Sequence, residues 1–238
     1  MNVKILFDKE SKNKKLRVGW GVSFLINETV LFDTGEDGAW LLDNIRLLDV
    51  DISKIKTVVI SHEHWDHIGG LWELLGEKKG IKVYICPGFS DEFKAKVKKS
   101  GGAPVEAKTL TEVDKDIFVT GEIEGKYKGC YMPEQALILK TARGISVITG
   151  CAHPGIIKMI KKAKSLFPQE DIYSALGGFH LLDENGETIK NIAGEFRKLG
   201  VKKAGPTHCS GEETKRIFRE EYGKDFIDID VGGSKSCF

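Results

Sequence analysis

Features of secreted, membrane-spanning and nucleic-acid-binding proteins are scarce in this chain of 238 residues. Its five cysteines are odd in number and scattered, without a Cys-x-x-Cys pair, which disfavours a disulfide framework and favours a reducing compartment. No apolar run approaches the length of a transmembrane helix, and residues 1–10 have too short an apolar core for a secretory signal. We therefore expect a cytoplasmic protein with no membrane partner.

An excess of charge of either sign is also absent. The 36 lysines and arginines nearly balance the 35 aspartates and glutamates, which leaves a formal net charge of +1. Because there is no basic field, we expect no nucleic-acid partner. The length is compatible with one domain over residues 1–238 and with a sizeable core. Residues 232–238 are expected either to reach back toward the site or to fray.

Histidine is the informative residue type in this sequence. Three of the six histidines stand with an aspartate in one short stretch, as His62, His64, Asp66 and His67. They follow the apolar run 57–60, which predicts a buried strand. Neither a helix nor a strand directs all four side chains to one side, so we predict an irregular turn that leads into a helix. Imidazole and carboxylate groups at this density are typical of a metal site.

The other three histidines follow the same scheme. His153, His180 and His208 each lie in a glycine- or proline-containing turn after a predicted strand. Four strand ends would therefore deliver histidines to one edge of a layered α/β fold, where binding sites are commonly built.

Turn signals and periodicity outline the rest of the chain. Tight turns at 27–28 and 142–144 predict two hairpins. We place the start of the second half of the structure at the hairpin of residues 136–149. In the segment 105–128 we expect short strands separated by charged turns, with loops that face the substrate. Helical spacing predicts helices at residues 39–48, 89–99, 156–167 and 187–199.

The pattern His-x-His-x-Asp-His, with LFDTG at residues 31–35 upstream, resembles the metallo-β-lactamase superfamily of metal-dependent hydrolases. The resemblance implies an α/β fold of the αββα type, a four-layer sandwich. It implies a site for one or two zinc ions, with manganese or iron as alternatives. The implied ligands are His62, His64 and His153 for the first ion, and Asp66, His67 and His208 for the second.

The resemblance also implies roles for carboxylates near the metals. Asp66 would orient the attacking water. Asp33 would orient a ligand histidine without binding the metal itself. On local grounds alone, Asp33 could instead cap the following helix. His180 has no place in the general metal pattern. We expect it to contact substrate as an acid or base, and a structural role is the alternative.

One departure from the family pattern leaves two assignments open. The superfamily usually has a bridging aspartate in a Thr-Gly-Asp triplet, whereas this chain has Thr149-Gly150-Cys151. Cys151 is either a thiolate ligand or a small buried residue. If the triplets correspond, His153 could face substrate, and the first metal would need another ligand.

The segments TGCAHPG, GGFHL and PTHCSG are similar to a branch described as dihydropterin-ribofuranosylaminobenzene-phosphate synthase-like. We therefore predict a metal-dependent hydrolase acting on a small anionic substrate, either phosphorylated, an ester or a lactone. One alternative is a transferase that condenses a pterin-methyl diphosphate with a ribofuranosylaminobenzene phosphate and releases diphosphate. Another is a metal- or ligand-binding module without turnover. The sequence makes no prediction about oligomeric state.

Overall fold

The computed structural model describes residues 1–235, so the prediction for the last three residues lies outside the described part of the chain. In chain order the strands are β1 (Val3–Phe7), β2 (Ser23–Ile26), β3 (Val30–Phe32), β4 (Thr57–Val59), β5 (Lys82–Ile85), β6 (Ala103–Glu106), β7 (Thr111–Asp114), β8 (Ile117–Val119), β9 (Lys126–Tyr127), β10 (Cys130–Tyr131), β11 (Leu137–Thr141), β12 (Gly144–Thr149), β13 (Ile172–Gly178), β14 (Lys203–Thr207) and β15 (Ser234–Lys235). The α-helices are α1 (Gly38–Leu47), α2 (Trp65–Ile68), α3 (Leu71–Glu77), α4 (Asp91–Lys99), α5 (Ile156–Leu166), α6 (Gly186–Lys198) and α7 (Glu212–Tyr222).

These strands form two large mixed sheets and one small hairpin. The first sheet has the order β15-β1-β2-β3-β4-β5-β6, and the second has the order β14-β13-β12-β11-β8-β7. Within the first sheet β3 to β6 run parallel, and within the second β12, β13 and β14 run parallel. The separate pair β9 and β10 forms an antiparallel hairpin.

Three apolar clusters show how the sheets and helices are layered. One cluster lies between the sheets and includes Phe24 and Phe32 from the first sheet with Leu137 and Ile148 from the second. A second cluster joins the outer face of the first sheet to α1, α3 and α4. A third joins the second sheet to α5, α6 and α7. Helix, sheet, sheet and helix layers follow one another, which confirms the predicted four-layer sandwich.

The alternation of side chains along the strands explains this layering. In β3, Val30 and Phe32 face the other sheet, while Leu31 between them faces the helices. Every residue of β3 is buried, as expected for a strand covered on both faces. The predicted hairpin turn at 27–28 is present, with Asn27 at φ 47° and Glu28 at φ 63°, the left-handed values of a two-residue turn.

Some element predictions were wrong. The second sheet begins with β7 and β8, before the hairpin at 136–149, because β8 pairs with β11 rather than with the first sheet. The short strands predicted within residues 105–128 are present, but they belong to both sheets, and the hairpin β9–β10 begins within the same segment, at Lys126. Helix α2 begins at Trp65, so Asp66 and His67 lie in a single helical turn. No prediction anticipated α7, although Ile217, Phe218 and Tyr222 mark a buried face along it.

Among residues 1–235, no helix is both long and apolar enough to cross a membrane.

A buried polar contact joins the two sheets next to their shared edge. Asp8 follows β1 and is 1% exposed. Its carboxylate accepts hydrogen bonds from Oγ1 of Thr207, at the end of β14, over 2.7 Å, and from the backbone N–H of Lys9 over 2.6 Å. Burial raises the pKa of Asp8 to about 6, because these hydrogen bonds offset only part of the desolvation.

We expect Asp8→Asn to flatten the pH dependence of stability in the metal-free protein. The folded pKa of about 6 lies above the ordinary value of 3.8, so the folded state holds this proton more tightly. That contribution to stability is complete below the unfolded pKa and is lost as the pH rises through the folded pKa. The shift corresponds to about 3 kcal/mol.

Urea titrations of both proteins at about pH 4 and about pH 7 measure this difference. The free energy of unfolding should change more between these pH values in the parent than in the variant. The same change in both proteins would contradict the expectation.

Candidate metal centre

The carboxyl ends of the parallel strands meet at one edge, and the backbone there adopts an uncommon conformation. Asp33, Ala152, His180 and His208 follow β3, β12, β13 and β14, and they have φ values of 56°, 67°, 54° and 52°. Left-handed backbone is unfavourable for residues other than glycine and persists only where the surroundings enforce it. Each of these turns redirects the chain as it leaves its strand, so the following side chains gather above the same edge.

Asp33 lies at the centre of a hydrogen-bond network beneath this edge. Its carboxylate is fully buried and accepts from the backbone N–H and the hydroxyl of Ser61, both at 2.7 Å. It also contacts Nδ1 of His67 at 2.7 Å. A Cβ at Gly150 would lie 2.1 Å from the Ser61 hydroxyl, so only glycine fits there. The alternative role for Asp33, capping the next helix, is wrong, because Asp37 caps α1.

Three histidine nitrogens converge on one point above Asp33. Nε2 of His62 lies 3.1 Å from Nδ1 of His64, and Nε2 of His153 lies 3.2 Å from both atoms. Tetrahedral zinc with bonds of 2.0–2.1 Å places its nitrogen ligands about 3.3–3.4 Å apart. One ring proton pointing into this triangle can satisfy only one neighbour, so the geometry suits a shared cation better than a set of hydrogen bonds.

The protonation states of these three rings also suit metal binding. Burial holds the pKa of His62, His64 and His153 below the ordinary histidine value, and neighbouring histidines lower it further for His62 and His153. For His153 the pKa falls to about 3. The three imidazoles are therefore neutral at pH 7, and neutral imidazole is the form that binds metals.

A second group of donors lies beside the first. Oδ2 of Asp66 is 3.3 Å from Nε2 of His208 and 3.6 Å from Nε2 of His67. Burial alone would lower the pKa of His67, but the charge and hydrogen bond of Asp33 outweigh it and raise that pKa to about 9. Burial would also raise the pKa of Asp66, and His208 and His67 together reverse this and lower it. An ion bound here would replace protons, as metals do at such sites.

His208 is oriented by the segment that leads into β2. The backbone N–H of Gly21 donates to Nδ1 of His208 over 3.1 Å, which places the ring proton on Nε2, facing Asp66. Nε2 is buried and lacks a hydrogen-bond partner of good geometry. This second group is consequently less prepared for a cation than the histidine triangle, whose lone pairs already converge.

The structure brings both open candidates, Cys151 and His153, into the cluster. Sγ of Cys151 lies 3.3 Å from Nε2 of His67. The same sulfur lies within 4.8 Å of the donor nitrogens of His62 and His153, so it stands between the two groups. Burial, and then the neighbouring Cys209, raises the pKa of the Cys151 thiol in the metal-free protein. His153 joins the triangle although it stands two residues beyond the Thr-Gly-Cys triplet.

Glu134 holds the turn that carries both Cys151 and His153. The sequence analysis did not identify Glu134 as a site residue. Its buried carboxylate accepts hydrogen bonds from the backbone N–H groups of Cys151, Ala152 and His153 at 2.8–2.9 Å. Burial raises the pKa of Glu134, and the three backbone donors oppose that rise. A charged residue three positions before the apolar strand β11 was the signal in the sequence.

His180 and the β9–β10 hairpin border an open cavity of about 720 Å³ above the cluster. The ring of His180 lies 4.4 Å from that of His153, and the ring of Tyr127 lies 4.7 Å from that of His64. Hydrogen bonding to Cys209 raises the pKa of His180. The remaining lining residues are aromatic, apolar or charged: Trp20, Trp65, Lys126, Lys128, Leu182, Asp183 and Glu184.

Comparisons with known proteins found a matching family model and a related sequence. The family model described as Metallo-beta-lactamase superfamily matches residues 18–211. The chain is 31% identical to the 7,8-dihydropterin-6-methyl-4-(beta-D-ribofuranosyl)-aminobenzene-5'-phosphate synthase of Methanocaldococcus jannaschii, over 89% of this chain and 88% of that protein.

Two solved structures show the same fold. Tm1679, described as a metal-dependent hydrolase of the beta-lactamase superfamily, matches with a TM-score of 0.84 and 29% identity, covering 100% of this chain and 99% of that one. The short form of human tRNase Z matches with a TM-score of 0.65 and 17% identity, covering 99% of each chain, and this likeness concerns the fold alone.

We expect Glu134→Gln to destabilise the protein and to weaken metal binding. The amide oxygen can replace one carboxylate oxygen, but the NH₂ group then faces a backbone N–H of the turn. An unsatisfied buried donor costs about 1–3 kcal/mol. Urea denaturation of the metal-free protein measures this loss, and metal titration measures the effect on the turn that holds His153.

Glu124→Gln, an exposed change in the same segment, is the matched control and should alter neither quantity. Unchanged stability and metal affinity in the Glu134 variant would show that the turn is held by other contacts.

Proposed function

The chain belongs to the metallo-β-lactamase superfamily, and we propose that it is a metal-dependent hydrolase of a small anionic substrate. The observation that carries the proposal is the triangle of His62, His64 and His153, with nitrogens 3.1–3.2 Å apart. This spacing lies close to one face of a zinc coordination tetrahedron, so the side chains fit the metal that the family implies.

We assign the first ion to the histidine triangle and a second to Asp66, His67 and His208, with Cys151 between them. Bound zinc, or iron or manganese in its place, would lower the pKa of a water molecule and polarise the bond under attack. Asp33 holds His67 in place through its hydrogen bond to Nδ1.

Two side chains are suited to proton transfer at this site. Asp66 keeps a low pKa and faces the cavity, so its carboxylate can orient the nucleophilic water. His180, which follows β13, also borders the cavity, and its raised pKa favours the protonated form, which can donate a proton to a leaving group.

The cavity supports an anionic substrate of moderate size. Lys126 and Lys128 belong to the hairpin over the site, and both line the cavity. Their ammonium groups can hold a phosphate or carboxylate while the reacting bond lies over the histidines. Asp183 and Glu184 also line the cavity, and they disfavour a substrate that is negative along its whole length.

We expect protein purified without added metal or chelator to contain up to two metal ions per chain. His153→Ala should lower the metal content by about one ion, because it removes one of three ligands from the triangle. Cys151→Ala should lower the content from two toward one. Elemental analysis measures metal content, and hydrolysis of generic phosphodiester, ester and lactone substrates before and after chelation measures its role.

Arg143→Ala, in the turn at the far end of β12, is the control for the histidine variant. Absence of metal, with none taken up on titration, would defeat the proposal. Metal binding that raises stability without supporting turnover would favour the binding module instead.

A second candidate function is the transfer reaction in which an arylamine displaces diphosphate from a pterin-methyl carbon. The exposed rings of Trp20 and Trp65 at the cavity favour it, since they offer stacking surfaces for flat heterocycles. In that reaction a carbon–nitrogen bond forms, the carbon–oxygen bond to diphosphate breaks, and the amine loses a proton. The relative from M. jannaschii is named for a product of this class.

Diphosphate release from a pterin-methyl diphosphate distinguishes the two functions. A transferase should release diphosphate only when the ribofuranosylaminobenzene phosphate is present, whereas a hydrolase should release it without that acceptor. Loss of one stacking ring in Trp65→Ala should lower kcat/KM by about tenfold. Trp40→Ala, an exposed tryptophan outside the cavity, is the control.

A further inference from the structure

Two cysteines from non-adjacent strands meet beside the proposed second metal position. Cys151 follows β12 and Cys209 follows β14, with β13 between them. They approach each other because Gly178, at the end of β13, has no side chain. A Cβ at Gly178 would lie 2.8 Å from Sγ of Cys209 and 3.1 Å from Cα of Cys151. Sγ of Cys209 reaches the carbonyl oxygen of Cys151 at 3.6 Å.

The surroundings of these sulfurs differ from those of a structural cysteine. Cys86 is buried within the apolar cluster beneath the first sheet. Among the described residues, Cys151 and Cys209 belong to none of the three apolar clusters, although they are only 4% and 7% exposed. Both line the cavity together with histidines. Both thiols therefore adjoin metal-ligating side chains rather than the apolar side chains that surround Cys86.

A third donor completes this group. The donor atoms of Cys151, Cys209 and His208 lie within 4.8 Å of one another, and all three residues are buried. Nε2 of His208, on a residue 2% exposed, lacks a hydrogen-bond partner of good geometry. Asp66 and His67 adjoin the group through His208 and Cys151 respectively.

We propose that Cys209 is a metal ligand, which together with Cys151 gives the second metal position two sulfur donors. This inference rests on the proposed metal-dependent function and adds a residue to it. The thiol protons leave to solvent as the ion binds, since only thiolate ligates.

The proposal narrows the choice of metal. Thiolate donors favour zinc, iron and cobalt over manganese and magnesium, which prefer oxygen donors. The histidine triangle alone does not make this distinction, because imidazole accepts several divalent ions. Sulfur at the second position would therefore make the ion there more selective than the ion in the triangle.

Cobalt substitution tests the assignment without relying on catalysis. The metal-free full chain, carrying Cys130→Ser and Cys237→Ser and kept reduced, is titrated with Co²⁺ to two equivalents. Visible bands report cobalt binding, and near-ultraviolet charge-transfer bands report cobalt–sulfur bonds. Cys209→Ser should lose roughly one third to one half of the charge-transfer intensity. It removes one of about two cobalt–sulfur bonds if Cys151 binds one ion, or one of about three if Cys151 binds both ions.

Cys86→Ala is the matched control, because it removes a buried thiol outside the cluster, and it should leave the charge-transfer intensity unchanged. Full charge-transfer intensity in Cys209→Ser at equal cobalt content would overturn the assignment and leave the proposed function intact. Absence of cobalt binding in the parent would overturn both.

X-ray absorption of the zinc-loaded, unmutated protein gives a test that does not depend on variant folding. Two sulfur donors should produce a zinc–sulfur shell at about 2.3 Å that grows as the second equivalent of zinc is added. A sulfur shell that corresponds to no more than about one zinc–sulfur bond per two zinc ions would refute the proposal, because Cys151 alone accounts for one bond.

Discussion

The buried carboxylate of Asp33 is the interaction on which the site depends. It ties the end of β3 to the end of β4 through Ser61 and holds His67 by its Nδ1 atom. Gly150, directly after β12, packs against the same atoms, so the second sheet is positioned against the first at this point. A buried carboxylate is unfavourable unless its hydrogen bonds are satisfied, and here three donors satisfy it. The histidines above can therefore be held rigidly.

The two donor groups differ in how far the metal-free protein prepares them. The triangle of His62, His64 and His153 is neutral and already convergent. The group around Asp66 instead holds protons on His67, whose raised pKa favours the imidazolium form. Metal binding at the second position must exchange those protons, so the two positions should differ in affinity and in pH dependence. The fold thus combines a histidine site whose ligands already converge with a second site whose ligands must lose protons when metal binds.

Much of the fold could be predicted from local patterns. Tight-turn residues predicted both hairpins, and helical spacing placed α1, α4, α5 and α6 within a residue or two. The start of the second sheet could not be predicted in this way. Strands β7 and β8 are short and carry charges, and only the pairing of β8 with β11 assigns them to a sheet. Helix α7 has the clear period of a surface helix, so it was a missed signal rather than an absent one.

The sequence by itself determined which donors the protein has, because four metal-binding side chains within six residues and three histidines in strand-end turns restrict the chemistry. Tertiary structure decided how they are used. It brought both Cys151 and His153 into the cluster, where the sequence left a choice between them. It added Glu134, Tyr127 and Cys209, whose contacts cross 17 or more residues of chain or pass between strands. The physical reason is that donor type is local, whereas the meeting of donors depends on strand order, parallel pairing and left-handed turns at one edge.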